Sequence, residues 1–234
     1  MLILAFESSA KAASVALMDE TALLAESYQN SGLTHSVTLL KMAQDMLSCA
    51  GKTPKDVTHA AVAAGPGSFT GIRIGVAAAK GFAWGLEIPC YGVSTLEAMA
   101  RNVALADGIY CPVMDARRSQ VYNALFSLEN GAFVRLREDR AIALEELEAD
   151  LRECGGPIYL VGDGAELTKR TLSGPEDLRL LPEQLRQQRA AGVALCAREK
   201  ILAGEDGDGS TLVPNYLRLS QAERERLQRL GRID

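Results

Sequence analysis

Two histidines in 234 positions leave little material for metal chemistry. His35 and His59 each lack a second ligand at the i+3 or i+4 spacing that a helix needs to present two imidazoles to one ion, so no metal site is expected. The five cysteines (Cys49, Cys90, Cys111, Cys154, Cys196) are odd in number, widely spread and in no C-x-x-C pair, which excludes a disulfide framework and a zinc ribbon and fits a reducing cytoplasm. Positive charge is short as well: 25 Lys and Arg stand against 30 Asp and Glu, a formal net charge of −5. Phosphate backbones are gripped by clustered cations, so any contact with nucleic acid has to be local or made through a partner. No apolar run approaches the roughly 20 residues of a membrane span, and the N-terminus carries no basic stretch ahead of its first apolar run, so neither membrane nor secretory targeting is expected.

What is present reads as a two-lobed α/β chain. Leu2–Phe6, Ala13–Met18 and Thr21–Tyr28 are short apolar or alternating runs separated by polar breaks, a three-stranded meander. Thr34 stands at the start of a helix that ends before Gly51, and its apolar residues, Leu39, Leu40, Met42, Ala43, Met46, Leu47, Cys49 and Ala50, span half the circumference. That arc is wider than one sheet contact requires. It is read either as an ordinary core helix or as a core helix whose edge, with Leu39, Met42 and Met46, docks on a second protein.

Ala60–Ala64 then leads into Gly65-Pro66-Gly67-Ser68-Phe69-Thr70-Gly71, a strand, a tight turn and a helix start that Ser68 or Thr70 can cap. The helix carries glycines at 71, 75, 81 and 85 and only Arg73 and Lys80 as charges. Each interior glycine costs about 1 kcal/mol against alanine, so something has to pack closely on several sides to compensate. Ile88–Val93 as strand and Leu96–Val103 as helix complete a first lobe, 1–106, in the order βββαβαβα, which implies a largely parallel sheet covered by helices.

From Ile109 the pattern repeats. A strand ends at Asp115 where the first ended at Glu7, Val121–Phe126 and Phe133–Ala143 follow, then a helix Leu144–Glu153, a strand Ile158–Val161 and a helix over about Gln184–Ala203. The second lobe, 107–234, is therefore read as an internal duplication of the first. Glu205–Ser210 is expected to be a mobile acidic loop, and the tail from Val213 to Asp234 a docking segment or a frayed end.

Catalytic groups are thin. Ser68 lacks nucleophile-elbow spacing and a paired base, and Gly65-Pro66-Gly67 is followed by no Gly-Lys-Ser/Thr, so neither hydrolase nor P-loop chemistry is indicated. A cleft between duplicated meanders invites a nucleotide, with Ser8, Ser9 and Lys11 on one turn and Asp115, Arg117 and Arg118 on the other. The first turn has no glycine to bring N–H groups close to phosphate, and local ion pairs in two polar turns account for the same residues.

The sequences Leu2–Ser9 with Ala13–Leu17, Gly65–Gly75 with Ala79-Lys80-Gly81, Asp115–Arg118 with Val121-Tyr122, and Pro214–Arg218 resemble, in order and over nearly the whole chain, the TsaB (YeaZ) family. The resemblance implies a bacterial cytoplasmic protein of the ASKHA (actin-like ATPase) fold. It implies a non-catalytic partner that works with its paralogue TsaD and the ATPase TsaE to transfer threonylcarbamoyl from threonylcarbamoyl-adenylate to N6 of adenosine 37 of tRNA. Such a chain forms homodimers when alone, heterodimers with TsaD, and meets tRNA through the complex; it needs no cofactor of its own, with ATP or ADP at or near the partner interface left open. The TsaD metal pair falls at Thr95 and Met99 here, neither of them a ligand for that metal, and Glu7 stands where the family usually has Asp. The partner face is then expected at His35, Leu39, Met42, Met46, Arg73, Ala77, Lys80 and Trp84, and the competing readings are a small-molecule kinase or ATPase and a glycoprotease-like peptidase.

Overall fold

The computed structural model describes residues 1–117, 119–218, 226, 229 and 230. The first lobe runs β1 (Leu2–Glu7), β2 (Ala13–Asp19), β3 (Leu23–Gln29), α1 (His35–Cys49), β4 (His59–Gly65), α2 (Phe69–Leu86), β5 (Cys90–Ser94) and α3 (Thr95–Asn102). Its sheet has the order β3-β2-β1-β4-β5. The meander pairs antiparallel, with Leu4 opposite Leu17, and β4 and β5 join in parallel, with Ala5 opposite Ala61. β1 and β4 read as unbroken apolar runs because both faces of these central strands are covered.

The second lobe repeats this arrangement. β6 (Gly108–Asp115), β7 (Gln120–Glu129), β8 (Ala132–Ala143), α4 (Leu144–Arg152), β9 (Ile158–Val161), α5 (Ala165–Thr171), β10 (Leu178–Leu180), α6 (Glu183–Arg186) and α7 (Ala190–Leu202) build a sheet ordered β10-β9-β6-β7-β8, antiparallel on the meander side and parallel on the other. The expected duplication of topology is present. The expected single helix over 184–203 is two, broken at Gln187–Arg189, where the chain runs extended into α7.

The lobes exchange their last helices. Ala190, Val193, Ala194 and Ala197 of α7 bury against Ile3, Ala5, Ala61 and Ala63 of the first sheet. Leu96, Met99 and Val103 bury with Tyr110, Met114 and Phe126 of the second. Small residues on α7 and on the inner face of the first sheet let helix and strands approach closely, at the cost of large side chains to fill the layer. A polar knot fixes the start of α7: Ala190 N–H donates to Ser14 Oγ at 3.1 Å, Ala191 N–H to Glu26 Oε1 at 3.2 Å, and Arg189 pairs with Glu26 Oε2 at 2.9 Å. Glu26 thus caps a helix of the other lobe. Glu26→Ala is expected to destabilise the chain by about 1–2 kcal/mol, the range for a lost cap, in urea unfolding at pH 7.

The outer face of the first sheet is covered by α1 and α2. Leu39, Ala43, Met46 and Leu47 of α1 and Ile72, Val76, Ala79 and Ala83 of α2 share one cluster with Leu4, Phe6, Val15, Leu17 and Val62. Thr34 occupies the N-cap position of α1 without accepting a helix N–H, whereas Ser68 Oγ caps α2 by accepting from Gly71 N–H at 3.3 Å. α2 is buried on the sides facing the sheet and the β1–β2 turn, and leaves Arg73, Ala77, Gly81, Trp84 and Gly85 exposed. What approaches its glycines is the β1–β2 turn and not α1. A Cβ at Gly71 would collide with the Ser8 carbonyl oxygen, and one at Gly75 with Ser8 Oγ, while at Gly81 and Gly85 nothing lies within 4 Å.

Candidate functional site

Three places bear on function: the polar joint between the lobes, the cavity beside the second turn, and the outer face of α1 and α2.

The joint is built where β1 ends. Glu7, Ser8 and Ser9 are buried, although the residues on either side of them in the sequence suggest a solvated turn. The loop from Gly65 to Ser68 closes over them: Ser68 N–H donates to Ser9 O at 2.6 Å, and Ser8 Oγ donates to Gly71 O at 2.9 Å. Glu7 Oε1 accepts from Ser9 N–H at 2.6 Å, while Oε2 is buried without a hydrogen-bond partner. Burial pushes the Glu7 carboxyl up to about 7 from 4.5 against the lowering effect of the Ser9 hydrogen bonds, and Asp163 adds like-charge repulsion. Asp163, in the turn after β9, is itself raised by desolvation, with Gln188 Nε2 donating to it at 2.9 Å and Asp115 repelling it. Of these acids only Glu7 is fully buried; Asp115 and Asp163 are exposed. Glu7, Asp163 and Gln188 were not singled out together in the sequence; the one local sign was a glutamate closing an apolar strand.

The nucleotide residues expected from the sequence are not gathered into one place. Asp115 and Arg117 line a cavity of about 430 Å³ with Ser119, Leu144, Glu145, Leu167 and Thr171. Asp115 Oδ1 is occupied by its own turn, accepting from Arg117 N–H at 2.7 Å, and Arg117 takes a positive φ of 63°. Neither this cavity nor a second one of about 350 Å³ has Ser9 or Lys11 in its lining. Ser9 is sealed under the Gly67 loop and Lys11 is exposed. Arg118 lies outside the described residues. The chain has no group of three or more His, Cys, Asp or Glu side chains arranged to hold a metal among its described residues, and no described helix is long and apolar enough to cross a membrane. Thr95 and Met99 are core residues of α3.

The outer face corrects the expected partner residues in part. Leu39, 1% exposed, and Met46, 6% exposed, point into the core, because α1 turns that side of its wide arc toward β1 and β2. His35 is half-buried, its Nε2 2.8 Å from Ala10 O. Lys80 Nζ is engaged with the tail, donating to Leu212 O at 2.9 Å and Ser210 O at 3.3 Å. Met42 is half-buried, and Arg73, Ala77 and Trp84 are exposed, Trp84 at 86%. Two further α1 residues join them: Val37, outside the expected apolar arc, at 73% exposure, and Leu40, within it but not among the expected partner residues, at 53%.

A family model described as "TsaD: tRNA N6-adenosine threonylcarbamoyltransferase" matches residues 29–170. A Bacillus subtilis (strain 168) protein described as "tRNA threonylcarbamoyladenosine biosynthesis protein TsaB" is 35% identical over 225 residues, covering 95% of this chain and 96% of its own length. The chain belongs to the TsaB (YeaZ) family. The solved structure of YeaZ from Pseudomonas aeruginosa superposes with a TM-score of 0.76 at 25% identity, over 92% of this chain and 99% of the other. The Acidaminococcus fermentans (R)-2-hydroxyglutaryl-CoA dehydratase component A, at a TM-score of 0.51 and 12% identity over 86% of this chain and 99% of that one, shares the fold alone. Duplicated five-stranded sheets with exchanged helices are the ASKHA architecture that the family was expected to have. The TsaD-type model matches a continuous stretch that crosses from the first lobe into the second.

Proposed function

We propose that this chain serves in the formation of N6-threonylcarbamoyladenosine at adenosine 37 of tRNA as a non-catalytic subunit that pairs with TsaD and works with TsaE, and that it does so through the outer face of α1 and α2. The observation that carries this reading is the exposure of Val37 and Leu40 on α1 and of Ala77, Gly81 and Trp84 on α2. Large exposed apolar side chains grouped on two neighbouring helices mark protein contact, and a tryptophan amid small residues is the type of anchor that dominates such interfaces. Small residues at 77, 81 and 85 leave the α2 backbone open to close approach by a partner helix. With the chain alone, the same face is available to a second copy, which is how a homodimer would form.

The non-catalytic part of the reading is supported by the joint. The turn that would meet phosphates has its backbone sealed by the Gly65–Ser68 loop, its acid is buried, and its lysine lies apart from the cavity holding Asp115 and Arg117. A kinase or ATPase needs those groups converging on one phosphate. tRNA is then met by the complex, in keeping with the net charge of −5, and ATP or ADP, if held, belongs to the joint surface with the partner.

Ala77→Arg is expected to weaken association with TsaD at least about tenfold, roughly 1.4 kcal/mol, and to lower threonylcarbamoyladenosine formation in the reconstituted system, with an unchanged melting curve for the chain alone, since Ala77 is exposed. Undiminished co-elution of a folded Ala77→Arg variant with TsaD would overturn the docking face. ATP hydrolysis by the isolated chain above that of a Lys11→Ala control would overturn the non-catalytic reading.

A further inference from the structure

After α7 the chain forms no further sheet or helix up to Arg218, yet residues 205–218 follow a defined course over the carboxyl ends of β4 and β5 and on to the second lobe. Tyr91 OH donates to Glu205 O at 3.2 Å, and Cys90 N–H donates to Gly207 O at 2.8 Å, so the segment first lies along the free edge of β5. Lys80 holds the carbonyls of Ser210 and Leu212. Asn215 N–H donates to Ala64 O at 2.7 Å, and Tyr216 stacks on Phe69 with ring centres 4.1 Å apart while its hydroxyl accepts from Arg73 Nε at 2.8 Å. Arg218 then donates to the carbonyl oxygen of Ala116 in the β6–β7 turn, across the gap between the lobes. Glu205–Ser210, expected to be a mobile loop, is thus docked at its middle.

The bed of this segment is shaped for it. Gly65 has a φ of +122° and no room for a Cβ beside Asn215 O, and a Cβ at Gly92 would strike the end of the Leu212 side chain. Few large apolar side chains are sunk beneath it: Val213 and Asn215 are exposed, Pro214 and Leu217 half-buried, Tyr216 is 38% exposed on Phe69, and Leu212 packs against the first-lobe core. An element with a fitted seat and few buried apolar contacts opens locally at far lower free energy than the sheets it rests on. It also walls a cavity. Thr211, Leu212, Val213 and Asn215 close one side of the space of about 350 Å³ whose other sides are Ala64, Val93 and Ser94 of the first lobe and Asp139 of the second. In open α/β sheets the carboxyl ends of the parallel strands are where a crevice takes its ligand.

We propose that residues 205–218 are a strap that walls one side of this interlobe cavity in cis and detaches as a unit, widening the cavity and releasing the tie from the first lobe to the β6–β7 turn, with both sheets intact. Cys90 reports the opening, because its thiol is buried and lies beneath residues 207–209, a Cβ at Gly209 coming 3.1 Å from that of Cys90. The test is native-state hydrogen exchange on the full chain, together with alkylation by iodoacetamide mapped peptide by peptide. The amides of Cys90 and Asn215 are expected to exchange at least about tenfold faster than those of Ile3–Phe6, at a rate insensitive to low urea. In Leu212→Asp, alkylation of Cys90 is expected to rise at least about tenfold while Cys111 and Cys196, in the core, stay protected. If Leu212→Asp does not fold, the exchange measurement on the unaltered chain decides. Exchange of Cys90 and Asn215 only with whole-chain unfolding, or equal labelling of all three buried cysteines in a folded Leu212→Asp, would overturn the strap.

Discussion

Glu7→Gln is expected to stabilise the chain by about 3 kcal/mol at pH 8.5 and to change little at pH 4 or below. The sign follows from the direction of the shift. Burial raises the Glu7 carboxyl from 4.5 to about 7 in the folded chain. Below 4.5 the group is protonated folded and unfolded, and the folded state bears no penalty. Between 4.5 and 7 the unfolded chain releases its proton and the folded chain does not, so stability falls as pH rises through that window and levels off above it. Glutamine keeps an oxygen for Ser9 N–H and stays neutral throughout, removing the fall. It also relieves the repulsion from Asp163. Urea unfolding of both proteins from pH 4 to 8.5 measures it: parallel curves would show that Glu7 ionises normally in the fold.

How far these features are legible in the sequence depends on their range. β1, β4, β6 and β9 are readable because central strands covered on both faces are continuous apolar runs, and the start of α2 is readable because Ser68 caps it locally. α5, with seven residues, and β10, with three, are too short to show a period, and both escape notice. The break between α6 and α7 is set by Arg189 reaching Glu26 on the far lobe, a contact over 163 residues that leaves no local sign. Periodicity on α1 identifies an apolar half-circumference without saying which part of it meets the sheet. It points to Leu39 and Met46 as docking residues, although they face the core, and not to Leu40, which lies in the same arc and is exposed, or to Val37, which lies outside it. The joint is harder still. Glu7 looked like part of a polar turn because the loop that buries it arrives some sixty residues later, through Ser68 and Gly71. The resemblance carried the family and the fold, but the sealed turn, the exchanged helices and the docked tail had to come from three dimensions.

Two glycines of one helix are expected to respond in opposite directions to the same substitution, and this is the sharpest separation of helix propensity from packing in the chain. Propensity alone favours alanine over glycine at any interior helical position by about 1 kcal/mol. At Gly81, where an added Cβ meets nothing within 4 Å, Gly81→Ala is expected to stabilise by about that amount. At Gly71 the same methyl would be driven into the Ser8 carbonyl oxygen and to 3.3 Å from Ser68 Cβ. Neither neighbour can yield cheaply. Ser8 is held by its own Oγ donating to Gly71 O at 2.9 Å, and the next residue, Ser9, by its carbonyl accepting from Ser68 N–H at 2.6 Å. Moving that turn would also move Glu7, whose carboxylate is fixed through Ser9 N–H. Gly71→Ala is therefore expected to destabilise by about 3 kcal/mol, the upper end for forced overpacking, with Gly71→Val worse. Urea unfolding of the two alanine variants side by side measures the difference, about 4 kcal/mol in all. If Gly71→Ala were as stable as Gly81→Ala, the close seat of α2 on the β1–β2 turn would be wrong. With it would fall the account of why a strand, a Gly-Pro-Gly turn and a glycine-bearing helix follow one another here: the glycines let α2 press down on the turn that an ATPase would leave open to phosphate.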